Sequence, residues 1–252
     1  MKVAIVSPFH HEPLEQLGHC MRSVAEQGVH DAHSVEHVIV ADGDDPRKVG
    51  EAMKLARIPT QKFPRVISLP VAHADWGNCA RAVGALDAVS RGFDAVAFLD
   101  GDNWIEPAHV QTMIALHVVT GAKVCTASRT ICRLNGSPMF FDGESDGARH
   151  VDTNCLFITR GAFHVLPFWA FVPASHAAVG DRVFWQVIKL ARDMTHAHSG
   201  ARTVNYRTRY AAHYRAIDEA PPPEAKENAP TPAGIMFDSV VLLVPSLLSV
   251  VA

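Results

Sequence analysis

Ala95-Val96-Ala97-Phe98-Leu99-Asp100-Gly101-Asp102-Asn103 decides how this chain is read. The apolar run before Asp100 is too short for an ordinary helix and suits a strand buried on both faces. It breaks into two carboxylates flanking a glycine. A strand that ends this way delivers acidic groups to the carboxyl rim of a sheet, where open α/β sheets hold their ligands. Carboxylates separated by one small residue can face the same side of a turn. Such oxygen ligands suit Mg²⁺ or Mn²⁺, which also take phosphate oxygens. Gly101 leaves room for backbone and ligand to approach closely.

Outward from this stretch the same unit recurs. Val3 to Phe9, Val35 to Ala41 and Val66 to Val71 are short apolar runs that read as strands. Leu14 to Gln27, Lys48 to Arg57, Asn78 to Arg91 and Pro107 to Val119 carry helical spacing, with Gly28 and Gly121 as stops. Val124 to Ser128 is the next strand. Alternation of this kind predicts a mostly parallel sheet with helices on both faces. Three strands then end in polar groups: Ser7 to His11, Asp42 to Asp45 and Asp100 to Asn103. The later chain is less regular. Asn135 to Arg149 reads as a loop or hairpin, Val151 to Thr159 as a strand, Val179 to Arg192 as a helix and Thr203 to Tyr210 as a strand. His196 and His198 read as flanking a loop. His10 and His11, adjacent in an extended segment, should point apart and make no zinc site by spacing.

Composition narrows the function classes. Of 252 residues 48% are hydrophobic, enough for one large core, and the net charge of −3 argues against a nucleic-acid partner. Five cysteines with no CxxC pair favour reduced thiols, most of them small buried apolar groups, over a disulfide framework. The N-terminus is too short and too polar-flanked for a signal peptide, so a cytoplasmic protein is expected. Residues 219–233 form a Pro-rich linker to an apolar tail at 234–252, which Asp238 and Pro245 interrupt. That tail suits a terminal helix packed on the protein or on a partner subunit. The other reading is a homodimer or membrane-surface contact, and with it membrane association.

Val3-Ala4-Ile5-Val6-Ser7-Pro8-Phe9, Met21-Arg22-Ser23-Val24-Ala25-Glu26-Gln27 and Val38-Ile39-Val40-Ala41-Asp42-Gly43 together resemble the opening of the family-2 glycosyltransferases. Trp76-Gly77-Asn78-Cys79-Ala80-Arg81-Ala82 is similar to a further segment of that family. Phe98-Leu99-Asp100-Gly101-Asp102-Asn103 is similar to its Leu-Asp-x-Asp signature. The resemblance is good over residues 1 to about 110, patchy to about 215, and does not reach the tail. It implies a GT-A fold over 1–218, with a nucleotide-binding half (1–120) and an acceptor half (121–218). It also implies a metal-dependent transfer from a UDP- or GDP-sugar to a saccharide, lipid-linked or small-molecule hydroxyl.

The resemblance implies roles as well. Pro8, His10 and Glu12 would lie by the base and ribose, and Asp42 would bond the base. Asp100 would face the ribose or donor sugar, and Asp102 would ligate the metal. Asp181 would be the base of an inverting transfer, although Gly180 stands where the family carries an acid. Asp152 and Asn154, alternating on a strand, would share a face on the acceptor side. His213 would complete the metal site, with Arg209 and Arg215 able to neutralise diphosphate. Two other classes remain. A sugar-phosphate nucleotidyltransferase would carry a basic Gly-rich loop after the first strand, and Ser7-Pro8-Phe9-His10-His11-Glu12 is not one. A non-catalytic nucleotide-sugar binder would fit the missing acid at position 180. A Rossmann dehydrogenase would need Gly-x-Gly-x-x-Gly there.

Overall fold

The computed structural model describes residues 1–227. Its elements run β1 (Lys2–Phe9), α1 (Leu14–Ala25), β2 (Ser34–Asp42), α2 (Arg47–Leu55), β3 (Arg65–Leu69), α3 (Asn78–Ser90), β4 (Ala95–Phe98), β5 (Trp104–Ile105), α4 (His109–Thr120), β6 (Val124–Cys132), β7 (Pro138–Phe141), β8 (Leu156–Thr159), α5 (Gly180–Leu190), β9 (His196–Arg207) and α6 (Ala211–Arg215). The apolar tail expected at 234–252, and the linker beyond 227, lie outside the described residues. Residues 219–227 fold back: Ala211 donates to Lys226 O at 2.9 Å, and Lys226 donates to Arg209 O at 2.6 Å. Among the described residues no helix is long and apolar enough to cross a membrane. All five cysteines are free, and four are buried.

The first half is built as its periodicity predicts. β1 lies between β2 and β4, parallel to both, and β3 extends the sheet beyond β2. Alternate residues of β2 serve two faces. Val38 and Val40 join the core that includes Ala80 and Ala85 of α3, while Ile39 and Ala41 pack with Leu17 and Met21 of α1 and Val49 and Met53 of α2. Helices therefore cover both faces. α3 lies so close that a Cβ on Gly84 would sit 2.5 Å from Val6 Cγ1 and 2.9 Å from Val40 Cγ2. The chain turns back between β3 and β4, so the polar ends of β1 and β4 open at the switch point, where such sheets bind ligands.

The sheet is mixed rather than mostly parallel. Among the described residues β8 runs antiparallel to β4 and β6, β7 to β6 and β5 to β9, and only β9 on β6 is parallel in this part. Only β6 and β7 are joined by a short hairpin; the other antiparallel partners meet across long stretches of chain. Val151 to Thr159 is not one strand. The Asp152 carboxylate accepts the Asn154 N–H at 2.9 Å and starts a 3-10 turn over Thr153–Cys155 before β8. β9 begins earlier than expected, because β6 offers His196 and His198 partners at Val124 and Thr126. Those histidines lie in a strand, not beside a loop. The expected hairpin in 135–149 contains β7.

Candidate active site

One cavity of about 380 Å³ opens at the carboxyl ends of β1, β2 and β4. It is lined by Pro8, His10, Glu12, Asp42, Asp100, Asp102, Asp152 and Asp181. With Arg209, nine of the twelve residues expected to have a role thus meet in one place, drawn from both halves of the chain.

Each is held by its local structure. Pro8, next to last in β1, lies against Gly77, whose φ of 80° and lack of a Cβ let the two meet; a Cβ there would lie 2.9 Å from Pro8. The His10 N–H donates to Glu12 at 2.6 Å, and His10 Nδ1 lies 2.7 Å from Asp42 O. His10 and His11 do not point apart: His11 has φ 64°, and the rings lie 4.2 Å centroid to centroid. The Asp42 carboxylate meets His73 Nδ1 at 2.6 Å. Asp100 Oδ1 receives Arg81 at 2.5 Å and its Oδ2 receives Asn154 Nδ2 at 3.1 Å, while the Asp100 N–H donates to Asn154 Oδ1 at 2.6 Å.

Asp102 differs from Asp100 in having little support. Its Oδ2 lies 3.2 Å from Arg209, and Arg207 donates to its backbone carbonyl. Enclosure by protein, with the charges of Asp100 and Glu12, pushes its carboxyl up to about 7 against the pull of Arg209 and Arg207. Glu12 is also raised, by burial. Asp181 opens α5, its Oδ1 taking the Arg182 N–H at 2.8 Å and its Oδ2 facing His150 Nε2 at 2.8 Å. Burial pushes that carboxyl up, but His150, Arg129 and the Arg182 N–H bring it below the usual range. The chain has no room for an acid at 180. A Cβ on Gly180 would sit 2.5 Å from Asn78 Oδ1, and Asn78 is pinned by bonds to Ala177 O and Arg81.

Three expected residues are not brought to the cavity. Asn154 is fully buried behind Asp100 and Asp152. His213 is in α6, its Nδ1 2.6 Å from Thr208 Oγ1 and its ring edge-on to Phe140 and Tyr210. Arg215 pairs with Glu227 and is also away from the cavity. Conversely, Arg81, Arg207, Arg209 and Lys226 give the acidic rim a basic wall. Arg81 was visible in the Trp76 to Ala82 segment. Arg207 and Arg209 are two apart, which places them on one side of an extended chain. Lys226 has no such signal, since its place follows from the return of 219–227.

A family model described as "Glycosyl transferase family 2" matches residues 4–187, most of the chain. This chain belongs to glycosyl transferase family 2. The expected GT-A fold and the expected enzyme class are those of the family. Solved structures agree on the fold. S. aureus TarS 1–349 in complex with UDP superposes with a TM-score of 0.60 at 14% identity, over 86% of this chain and 63% of that one. TarS 1–349 in complex with UDP-GlcNAc gives 0.56 at 13%, over 86% and 61%. The longer S. aureus TarS gives 0.59 at 14%, over 85% and 38%. The chain thus spans less than two thirds of these structures. No curated protein matches it significantly in sequence. Members of family 2 commonly use a divalent cation.

Proposed function

We propose that this family-2 member moves a sugar from a UDP- or GDP-sugar to a hydroxyl acceptor, with inversion, and with Mn²⁺ or Mg²⁺ held at Asp102. The observation that carries the reading is the cavity's charge pattern. Asp102, Asp100 and Glu12 crowd one rim, and Arg81, Arg207, Arg209 and Lys226 stand beside them. A bound cation would relieve the cost of crowding these carboxylates on one largely enclosed rim. Among the described residues no three His, Cys, Asp or Glu side chains form a metal cage. A cation that shares its shell with waters and substrate phosphates needs only one or two carboxylates, so this donor set fits. When bound it would neutralise charge growing on the leaving diphosphate.

The chain's own residues supply the rest. Arg207, Arg209 and Lys226 offer the diphosphate further positive charge. Asp42 meets the base, Pro8, His10 and Glu12 flank it and the ribose, and Asp100 is held rigid to orient the sugar. Asp152 faces the acceptor, and Asn154 acts through Asp100. Asp181, anionic at neutral pH, takes the acceptor hydroxyl's proton as that oxygen bonds the anomeric carbon and the bond to the diphosphate breaks. Asn78 occupies the place of the missing acid, so its loss does not argue for a non-catalytic binder.

Thermal shift with UDP, GDP and their sugars, with and without Mn²⁺, tests the donor site. Cation-dependent stabilisation by one nucleotide is expected, and Asp102→Ala should abolish it. A variant that kept full Mn²⁺-dependent affinity would remove Asp102 from the site. Asp181→Asn should keep donor binding and lose about 10²–10⁴ in kcat.

A further inference from the structure

The Gly- and Asp-rich stretch 142–150 is pinned at several points. Asp142 takes Arg129 Nε at 2.5 Å. Asp146 Oδ1 accepts the N–H groups of Ala148 and Arg149 at 2.9 and 2.8 Å. Trp185 Nε1 donates to Ala148 O at 3.0 Å. The stretch then ends at His150, whose Nε2 lies 2.8 Å from Asp181 Oδ2. His150 is not among the cavity-lining residues, so it meets Asp181 from the protein side. Its Nδ1 is buried and, among the described residues, unpartnered. Among the described residues Asp181 is therefore the only hydrogen-bond partner of this ring. To donate to a carboxylate, Nε2 must carry the proton.

Resting on the reading of Asp181 as base, we propose that His150 is its positioning residue: the Nε2–H fixes the carboxylate's orientation and holds it in the anionic form that accepts a proton. The Arg182 N–H holds the other oxygen, and each oxygen keeps a lone pair for the acceptor. The direction in which Asp181 is displaced agrees, since His150 counts among the causes that overcome burial. Arg129, Asp152 and Tyr210 also feel the Asp181 charge, and Asp142 feels that of His150. Asp146 accepts the His150 backbone N–H at 3.4 Å. None of these side chains bonds Asp181.

The test needs no substrate. The Asp181 side-chain carbon is followed by ¹³C NMR titration of the full chain, with Asp181→Asn assigning the signal. His150→Phe fills the ring's volume without the donor, and its midpoint should move up by at least one pH unit. His150→Gln, which restores an N–H, should return most of the way to wild type. An unchanged midpoint in folded His150→Phe overturns the proposal. Should that variant not fold, the ¹⁵N spectrum of wild-type His150 decides. A protonated Nε2 supports the proposal, and a proton on Nδ1 alone overturns it. Wild-type turnover by Asp181→Asn would instead overturn the base reading and leave the titration result standing.

Discussion

β1, β2 and β4 carry apolar side chains into both faces of the sheet, from Val3 to Val6, Val38 to Ala41 and Ala95 to Phe98. β6 buries Thr126, Ser128 and Arg129 alongside its apolar residues. The first set is stabilised chiefly by apolar packing between hydrogen-bonded strands and helices, with α3 at the close spacing Gly84 permits. The second is organised by a guanidinium. Arg129 pairs with Asp142 in the loop and Asp152 before β8, and lies over the Tyr206 ring at 4.5 Å. One half is thus a hydrophobic platform. The other shares the apolar core through Phe157, Trp169 and Phe184 but adds segments tied by buried charge, and it is where Asp181 and His150 are delivered.

Arg129→Met breaks this contrast most severely. It leaves Asp142 and Asp152 buried without their cation, which costs about 3–5 kcal/mol. By comparison, Arg65→Ala removes an exposed pair with Asp87 in the first half and should cost about 1 kcal/mol or less. Denaturant unfolding of both measures the difference, and equal losses would refute the division. A middle effect is expected at the junction of the halves. Gly180→Glu restores the acid usual in the family, yet it collides with Asn78 and should cost about 1–3 kcal/mol. A Gly180→Glu/Asn78→Gly double variant should recover part of that loss; strict additivity would show that Asn78 is not the obstacle.

A smaller effect than that at Gly180 concerns the rim. In the folded protein Asp102 holds its proton up to about 7, well above its value in an unfolded chain. The folded state then binds more protons between about pH 4 and 7, so this group's contribution to stability falls as pH rises through that window. Its carboxylate is 21% open and faces Arg209, which reduces the effect. Asp102→Asn should therefore stabilise the cation-free protein by about 1–2 kcal/mol at pH 8, or roughly 2–8 °C, and by almost nothing at pH 4. Melting curves at both pH values check this, and a variant less stable than wild type at pH 8 would contradict it.

Reading the chain as sequence worked where local pattern and final environment coincide. The three strands of the platform were legible because their burial on both faces demands uninterrupted apolar runs. Pro8, Asp42, Asp100 and Asp102 were legible because a strand's end fixes where the next side chain stands. Asn154 and His213 were expected in the site and lie outside it. Asn154 sits in a 3-10 turn begun by its neighbour Asp152, and His213 in a short helix packed on Phe140. Neither position follows from spacing.

The sequence by itself determined the alternating platform, the family and the acidic rim, because these depend on contacts within one strand–helix unit. Only the tertiary structure decided the antiparallel joins of the second half, the Asn78 side chain in place of an acid at 180, the Lys226 return and the His150–Asp181 contact. The β6–β7 hairpin apart, each of those joins residues 15 or more positions apart, through ion pairs and hydrogen bonds that leave no periodic trace in the chain.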